Sequence, residues 1–359
     1  MEQPRSPSPA MPAAPLPVVI IGSGGIVRDA HLPAYRLAGF PVFSLYDRDH
    51  SRAAGLASDF NVPRTPVSLA DAVATAPPGA VFDVAVPASA LPEVLPVLPE
   101  GAPVLIQKPF GEDLSQARVL LALCQRRHFQ AAVNFQLRFA PCVAAARDLI
   151  NRGAIGELHD MEVRVTVFTP WHLWTFLEGL PRVEILYHSI HYVDLIRSFL
   201  GEPLGVHAKT VRHPGAARLA PTRTNIAFDY GDTLRANITT NHGHAFGRKH
   251  QESYVKWEGT RGALKAKLGL LLDYPKGEPD TLEFCALDTS GQPGPWEPVS
   301  LVGNWYPHAF IGSMTSLQDF ARGQTRELPT RVEDAFRTMA VVEAAYESSA
   351  RGATPIPTH

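Results

Sequence analysis

Up to about residue 140 the chain alternates short apolar runs with longer stretches whose apolar positions recur at helical spacing. Val18–Ile21 is a four-residue β-branched run bounded by glycine, a pattern that suits a fully buried parallel strand. It leads into Gly22-Ser23-Gly24-Gly25-Ile26-Val27 and then an amphipathic stretch through Tyr35 and Leu37. A second strand is predicted over Val42–Tyr46, ending at Asp47. A helix over Arg52–Phe60, a short strand near Val62 and a helix over Leu69–Thr75 follow. The next strand, Phe82–Val86, stops at Pro87; Val104–Ile106, a helix over Ser115–Arg127 and Ala131–Phe135 continue the alternation. That order predicts an α/β unit with a doubly wound parallel sheet.

From Glu157 the period changes. His159–Phe168, Gly205–Val211, Thr224–Tyr230, Thr233–Thr240, Ser253–Glu258 and Leu282–Leu287 read as strands separated by turn residues. Alternation of period two gives each strand one covered and one more exposed face, as a large, mainly antiparallel open sheet allows. Arg218–Thr224 and Gln292–Pro298 read as surface loops, and Val332–Ala350 as a final helix capped by Gly352. The expected domains are a disordered tail over 1–16, a Rossmann domain over 17–140 and an α+β domain over 141–359. The helix over 332–350 is expected to pack back on the first domain.

Composition narrows the function classes. The chain has 359 residues, 45% hydrophobic and 19% charged, which suits a soluble two-domain protein. A net charge of -2 gives no nucleic-acid surface and no anionic-membrane partner. No stretch approaches the ~20 apolar residues of a membrane span, and the Pro/Ala/Ser-rich opening lacks a signal-peptide core, so a cytoplasmic location is expected. Cys124, Cys142 and Cys285 form no C-x-x-C pair and read as inert buried thiols. No cluster has metal-ligand spacing, and no metal is expected.

The candidate chemistry begins at the glycines. Gly22 allows a tight turn after a buried strand and Gly24 lets backbone approach a pyrophosphate. Gly22, Ser23, Gly24, Gly25 and Ile26 are therefore the candidate dinucleotide-contacting backbone, with the helix amino terminus supplying N–H donors. Val27 stands where the fingerprint has a small residue. Asp47, 23 residues after Gly24, either accepts hydrogen bonds from an adenosine ribose or simply forms a turn. Its charge repels a 2′-phosphate and so favours NAD, while Arg48 beside it can pair with phosphate and admit NADP. In Pro103-Val-Leu-Ile-Gln107-Lys108-Pro109 a buried strand ends by presenting one lysine. That lysine either opens a surface loop or sits where α/β sheets bind ligands.

With Gly22–Val27, His31-Leu-Pro-Ala, Asp47, Val86-Pro87, Lys108-Pro109 and Glu343–Ser349 all in order, the chain resembles the Gfo/Idh/MocA family. The likeness covers nearly the whole chain. It implies a Rossmann domain that binds NAD(P), with Pro87 and Gln107 beside the cofactor. It also implies an open-sheet domain that forms homodimer or homotetramer contacts. The family's Glu-Lys-Pro motif sets lysine beside the nicotinamide and the sugar hydroxyl; Lys108 matches it, and Gln107 replaces the glutamate. By electrostatics that replacement lowers the lysine pKa relative to a family member with glutamate. The family's Asp-x-Gly-x-His-x-x-Asp segment aligns with Tyr187-His188-Ser189-Ile190-His191-Tyr192-Val193-Asp194. His191 thus falls on the catalytic histidine, and Tyr187 replaces an aspartate. On a regular helix Tyr187, His191 and Asp194 share a face, and His188 lies about 60° away.

The resemblance implies a dehydrogenase for a sugar, sugar acid or polyol, with His191 as general base, Lys108 polarising the reacting oxygen and Tyr187 in a proton relay. Gln136, Arg138, Trp171, Trp174, His188 and Asp194 are candidate substrate contacts. Asn134 and the Asn304-Trp305-Tyr306-Pro-His308 stretch are weaker ones, and His242-Gly-His244 reads as a polar loop. Two other readings share the fold: an enzyme that retains NAD and uses transient oxidation for elimination or glycoside cleavage, and a non-catalytic nucleotide sensor.

Overall fold

The computed structural model describes residue 12 and residues 14–357. Most of the expected 1–16 tail lies outside them. Leu16, its last residue, is held in place: its N–H donates to Gln318 Oε1 at 2.8 Å and its side chain packs on the core.

The first unit comprises the described residues up to Pro141 together with Trp305–Met339. Its strands are β1 (Val18–Ile21), β2 (Val42–Tyr46), β3 (Val81–Val84), β4 (Pro103–Ile106) and β5 (Gln130–Val133). They pair in parallel in the order β2-β1-β3-β4-β5. Helices α1 (Leu32–Ala38), α2 (His50–Phe60), α3 (Leu69–Ala74), α4 (Leu91–Val94) and α5 (Leu114–Arg126) connect them. Asp49, Ser68 and Asp113 start α2, α3 and α5 by accepting backbone N–H bonds three residues on. The strand expected near Val62 is not formed. One bond, Leu45 N–H to the Arg64 carbonyl at 3.0 Å, marks where it would have paired. The strand order reverses between β1 and β3, and a ligand crevice opens at the carboxyl ends of strands at such a point.

The second unit comprises Cys142–Asn304 and the described residues from Ala340 on. After α6 (Pro141–Asn151) come β6 (Leu158–Thr166), α7 (Ile190–Leu200), β7 (Gly205–Val211), β8 (Arg223–Asp229), β9 (Arg235–Asn241), β10 (Glu252–Gly259), β11 (Gly262–Lys267), β12 (Thr281–Ala286) and β13 (Glu297–Pro298). The sheet runs β13-β12-β11-β10-β6-β9-β8-β7. Every pairing is antiparallel except β6 with β9, which run parallel from Asp160↔Arg235 to Thr166↔Asn241. Burial alternates along β6, β8, β9 and β10, and Trp257 anchors the covered face, fully buried. The Arg218–Thr224 stretch is not a surface loop throughout. Leu219 and Ala220 are buried in a small cluster with Leu177 and Val183, and β8 begins at Arg223.

Helix α8 (His308–Ala321) returns to the first unit, where Phe310, Ile311, Met314 and Leu317 join the core of β1, β3 and α1. Helix α9 (Val332–Arg351) ends at Gly352 with φ 84°, and its residues from Ala340 belong with the second unit. There Arg182 makes two 2.7 Å bonds to Glu343 and lies over the Tyr346 ring. The first unit therefore draws on two stretches of chain rather than on one ending near 140. No helix among the described residues is long and apolar enough to cross a membrane.

Candidate active site

In the first unit the glycine turn is sewn between its neighbours. Gly22 N–H donates to the Tyr46 carbonyl at 2.7 Å, and Ala85 N–H donates to the Ile21 carbonyl at 2.8 Å. Gly22 has φ +109°, and a Cβ there would sit 2.3 Å from the Ala85 carbonyl oxygen, so only glycine fits. At Gly24 a Cβ would meet no atom within 4 Å, which leaves room for a phosphate against the helix amino terminus. The helix opens at Gly25 and Ile26 and widens to a π turn over Val27–His31. That wide turn begins at Val27, where a small residue would otherwise let helix and strand approach.

Asp47 is bound to this turn: its Oδ2 accepts from Ser23 N at 2.8 Å and Ser23 Oγ at 2.9 Å, and its Oδ1 accepts from Asp49 N. Arg48 is exposed beside it, and Pro87 is exposed just past β3. Gln107 and Lys108 follow β4. Gln107 is buried, and its Oε1 has no hydrogen-bond partner among the described residues. This orphan acceptor, with the open space at Gly24, fits a bound dinucleotide. Lys108 keeps some surface, yet protein surrounds it closely enough that desolvation lowers its ammonium pKa to about 8. Burial is the cause of that shift.

Beyond β5 the candidates part. Gln136 is fully buried, with both amide atoms lacking partners among the described residues. Arg138, expected beside substrate, is instead a clasp: it bonds Asp334 Oδ2 at 2.5 Å and the Pro329 carbonyl at 2.9 Å. Asn134 also belongs to the interior, in a chain the sequence did not signal. Asp83 on β3 accepts from Tyr35 OH at 2.7 Å and meets His31 Nδ1 at 2.6 Å; Asn134 contacts His31 and accepts from Ser313 Oγ. Trp305, a weaker candidate, is buried.

In the second unit a π turn over Ile185–Ser189 precedes α7. Tyr187 and His188 lie within it, so the regular-helix spacing used to align Tyr187 with His191 does not apply across this stretch. His191 and Asp194 lie in α7, both buried; Asp194 is no surface acid. Tyr187 packs beside Phe176, with ring centroids 6.0 Å apart. Trp171 and Trp174 lie in a 3₁₀ stretch after β6, half-buried, and both rings approach His188, at 5.0 and 6.4 Å. His242 is no polar loop residue but is buried at the end of β9, its ring 4.6 Å from His188 and 5.6 Å from Trp171. Glu184, unmarked in the sequence, lies fully buried beside it. Burial alone would raise the Glu184 pKa. Hydrogen bonding and charge from His242, with the Ser189 and Thr224 hydroxyls, outweigh that and hold it below the ordinary carboxylate value.

Comparison with known proteins agrees with this architecture. Residues 16–135 match the oxidoreductase family with an NAD-binding Rossmann fold, and residues 143–265 match the GFO/IDH/MocA C-terminal domain. The chain is 23% identical to a D-apiose dehydrogenase of Rhizobium rhizogenes over 271 residues, covering 70% of this chain and 71% of that one. It is 31% identical to an inositol 2-dehydrogenase of Corynebacterium glutamicum over 149 residues, 40% and 43% of the two chains. A crystal structure of an oxidoreductase from Agrobacterium radiobacter in complex with NAD+, L-tartaric acid and magnesium superposes with a TM-score of 0.78. It is 21% identical and covers 95% of this chain and 98% of that one. Two family domains matched in order, on the parallel sheet and on the open sheet described above, show that this chain belongs to the Gfo/Idh/MocA family of oxidoreductases.

Proposed function

We propose that the protein is an NAD-dependent dehydrogenase that oxidises a secondary alcohol or hemiacetal carbon of a sugar, sugar acid or polyol. The observation that carries this reading is Lys108, an ammonium desolvated at the carboxyl end of a parallel strand, two strands from the glycine turn. In such a setting a cation polarises a nearby oxygen far more strongly than it does in water. NAD, held by Gly22–Ile26, Asp47 and Gln107, supplies the hydride acceptor. Asp47 disfavours the 2′-phosphate of NADP. His191 takes the hydroxyl proton, Lys108 hydrogen-bonds and polarises the reacting oxygen, and Tyr187 joins a proton relay. Asp194, three residues after His191 and so on the same helix face, supports it. Trp171, Trp174 and His188 offer the carbohydrate-facing surface of the second unit, and Gln136 is a candidate contact in the first.

D-apiose, the inositols, monosaccharides and aldonates are the first substrates to try, with NADH formation followed by absorbance. Lys108→Ala and His191→Ala should each cut turnover by roughly 10² to 10⁴ while NAD binding, read by calorimetry, stays near the wild-type value. Undiminished activity in His191→Ala would sink the assignment. A preference for NADP over NAD would remove the role given to Asp47.

A further inference from the structure

Glu184 and His242 have no part in the reaction proposed above, yet they are built with care. Glu184 Oε1 accepts from Ser189 Oγ at 2.6 Å and lies 3.5 Å from His242 Nε2. The other ring nitrogen, His242 Nδ1, is 2.8 Å from Thr169 Oγ. His242 is thereby tied on one side to the segment that leaves β6, while its Nε2 faces Glu184, the residue that precedes the π turn, at 3.5 Å. Backbone bonds from Val167 N to Asn241 O and from Thr169 N to His242 O fix the same register. Gly243 follows because the His213 ring would stand 2.4 Å from a Cβ there.

This arrangement is layered. Glu184 and His242 are buried; His188, Trp171 and Trp174 lie outside them, half-buried and set edge to face. A buried carboxylate and histidine stabilise a fold weakly, because desolvation offsets most of their attraction. Holding one ring orientation is what such a pair does well. The outer layer offers indole surface for the C–H face of a ring and an imidazole edge for its hydroxyls.

We propose that Glu184 and His242 form a positioning pair that fixes His188 against Trp171, and that the wall so formed binds the ring of a neutral sugar or polyol. The proposal rests on the carbohydrate reading above but not on hydride transfer. Its test is tryptophan fluorescence titrated with D-glucose, D-xylose and myo-inositol, with and without NAD. Wild type should give a saturable change with at least one of these. Glu184→Gln and His242→Leu should weaken its midpoint at least tenfold, and His242→Gln, which keeps a hydrogen-bonding group, should recover part of the loss. For any probe that is turned over, the same variants should raise KM and leave kcat within about twofold. Where His242→Leu fails to fold, the near-isosteric Glu184→Gln decides. Equal midpoints in wild type and Glu184→Gln, or no saturable response to any of the three probes, overturns the proposal. Sugar binding that depends on the pair without NADH formation would leave it standing and reject the dehydrogenase reading. NADH formation with KM unmoved by the variants would do the reverse.

Discussion

Lys108 titrates close to neutrality because protein replaces water around its ammonium. The proposed mechanism needs that ammonium, so kcat/KM should fall as pH rises through about 8. Lys108→Arg, whose guanidinium stays charged, should move the alkaline limb upward at reduced rate. The same depression bears on stability. A lysine with a folded pKa below its unfolded one penalises the folded state at low pH, and the penalty fades as pH rises through the folded pKa. Lys108→Met should therefore raise the melting temperature at pH 7 while abolishing turnover, and should bring no stabilisation above pH 10.5. Calorimetry at the two pH values checks this. A lysine at a strand end was legible in the sequence. Its pKa was not, because desolvation depends on what the rest of the chain packs around it.

At the scale of elements, the strongest local signals were the ones a single backbone position decides. Gly22 is one: an alanine there would strain φ and meet the Ala85 carbonyl, so Gly22→Ala should lose about 2–4 kcal/mol in urea denaturation along with NAD binding. Buried apolar runs located β1 and β4 within a residue, since burial on both faces leaves an uninterrupted apolar string, whereas Asp83 interrupts β3 and β2 is only partly buried. The run near Val62 misled because a strand needs a partner along several residues, and Arg64 offers one bond. Helix α8 was missed although Phe310, Ile311, Met314 and Leu317 are all core, because it is buried nearly all round, polar Ser313, Thr315 and Gln318 included, so burial leaves no clean apolar stripe in its sequence. The two π turns, at Val27–His31 and Ile185–Ser189, carry no signature in composition. His31 and His188 sit in them, one in the buried chain with Asp83 and the other in the aromatic wall.

Across the whole molecule, the order of the chain and the order of its cores differ. Residues 14–141 alone lack α8, whose Phe310, Ile311, Met314 and Leu317 are buried in the Rossmann core. At about 1.5–3 kcal/mol each, their absence removes ~6–12 kcal/mol, comparable with the ~5–15 kcal/mol net stability of a domain. That fragment should show no cooperative thermal transition by circular dichroism, and one with residues 305–339 joined through a flexible linker should regain it. The parallel pairing of β6 with β9 has a consequence of another kind. Antiparallel neighbours would send their following segments out at opposite ends of the strands, whereas these two send Val167–Leu177 and His242–His250 out at the same end. The two segments are therefore one inheritance unit for anyone exchanging parts between family members. A chimera that takes either segment alone from a relative splits Thr169 from His242, and only the pair can be transplanted as a working cassette.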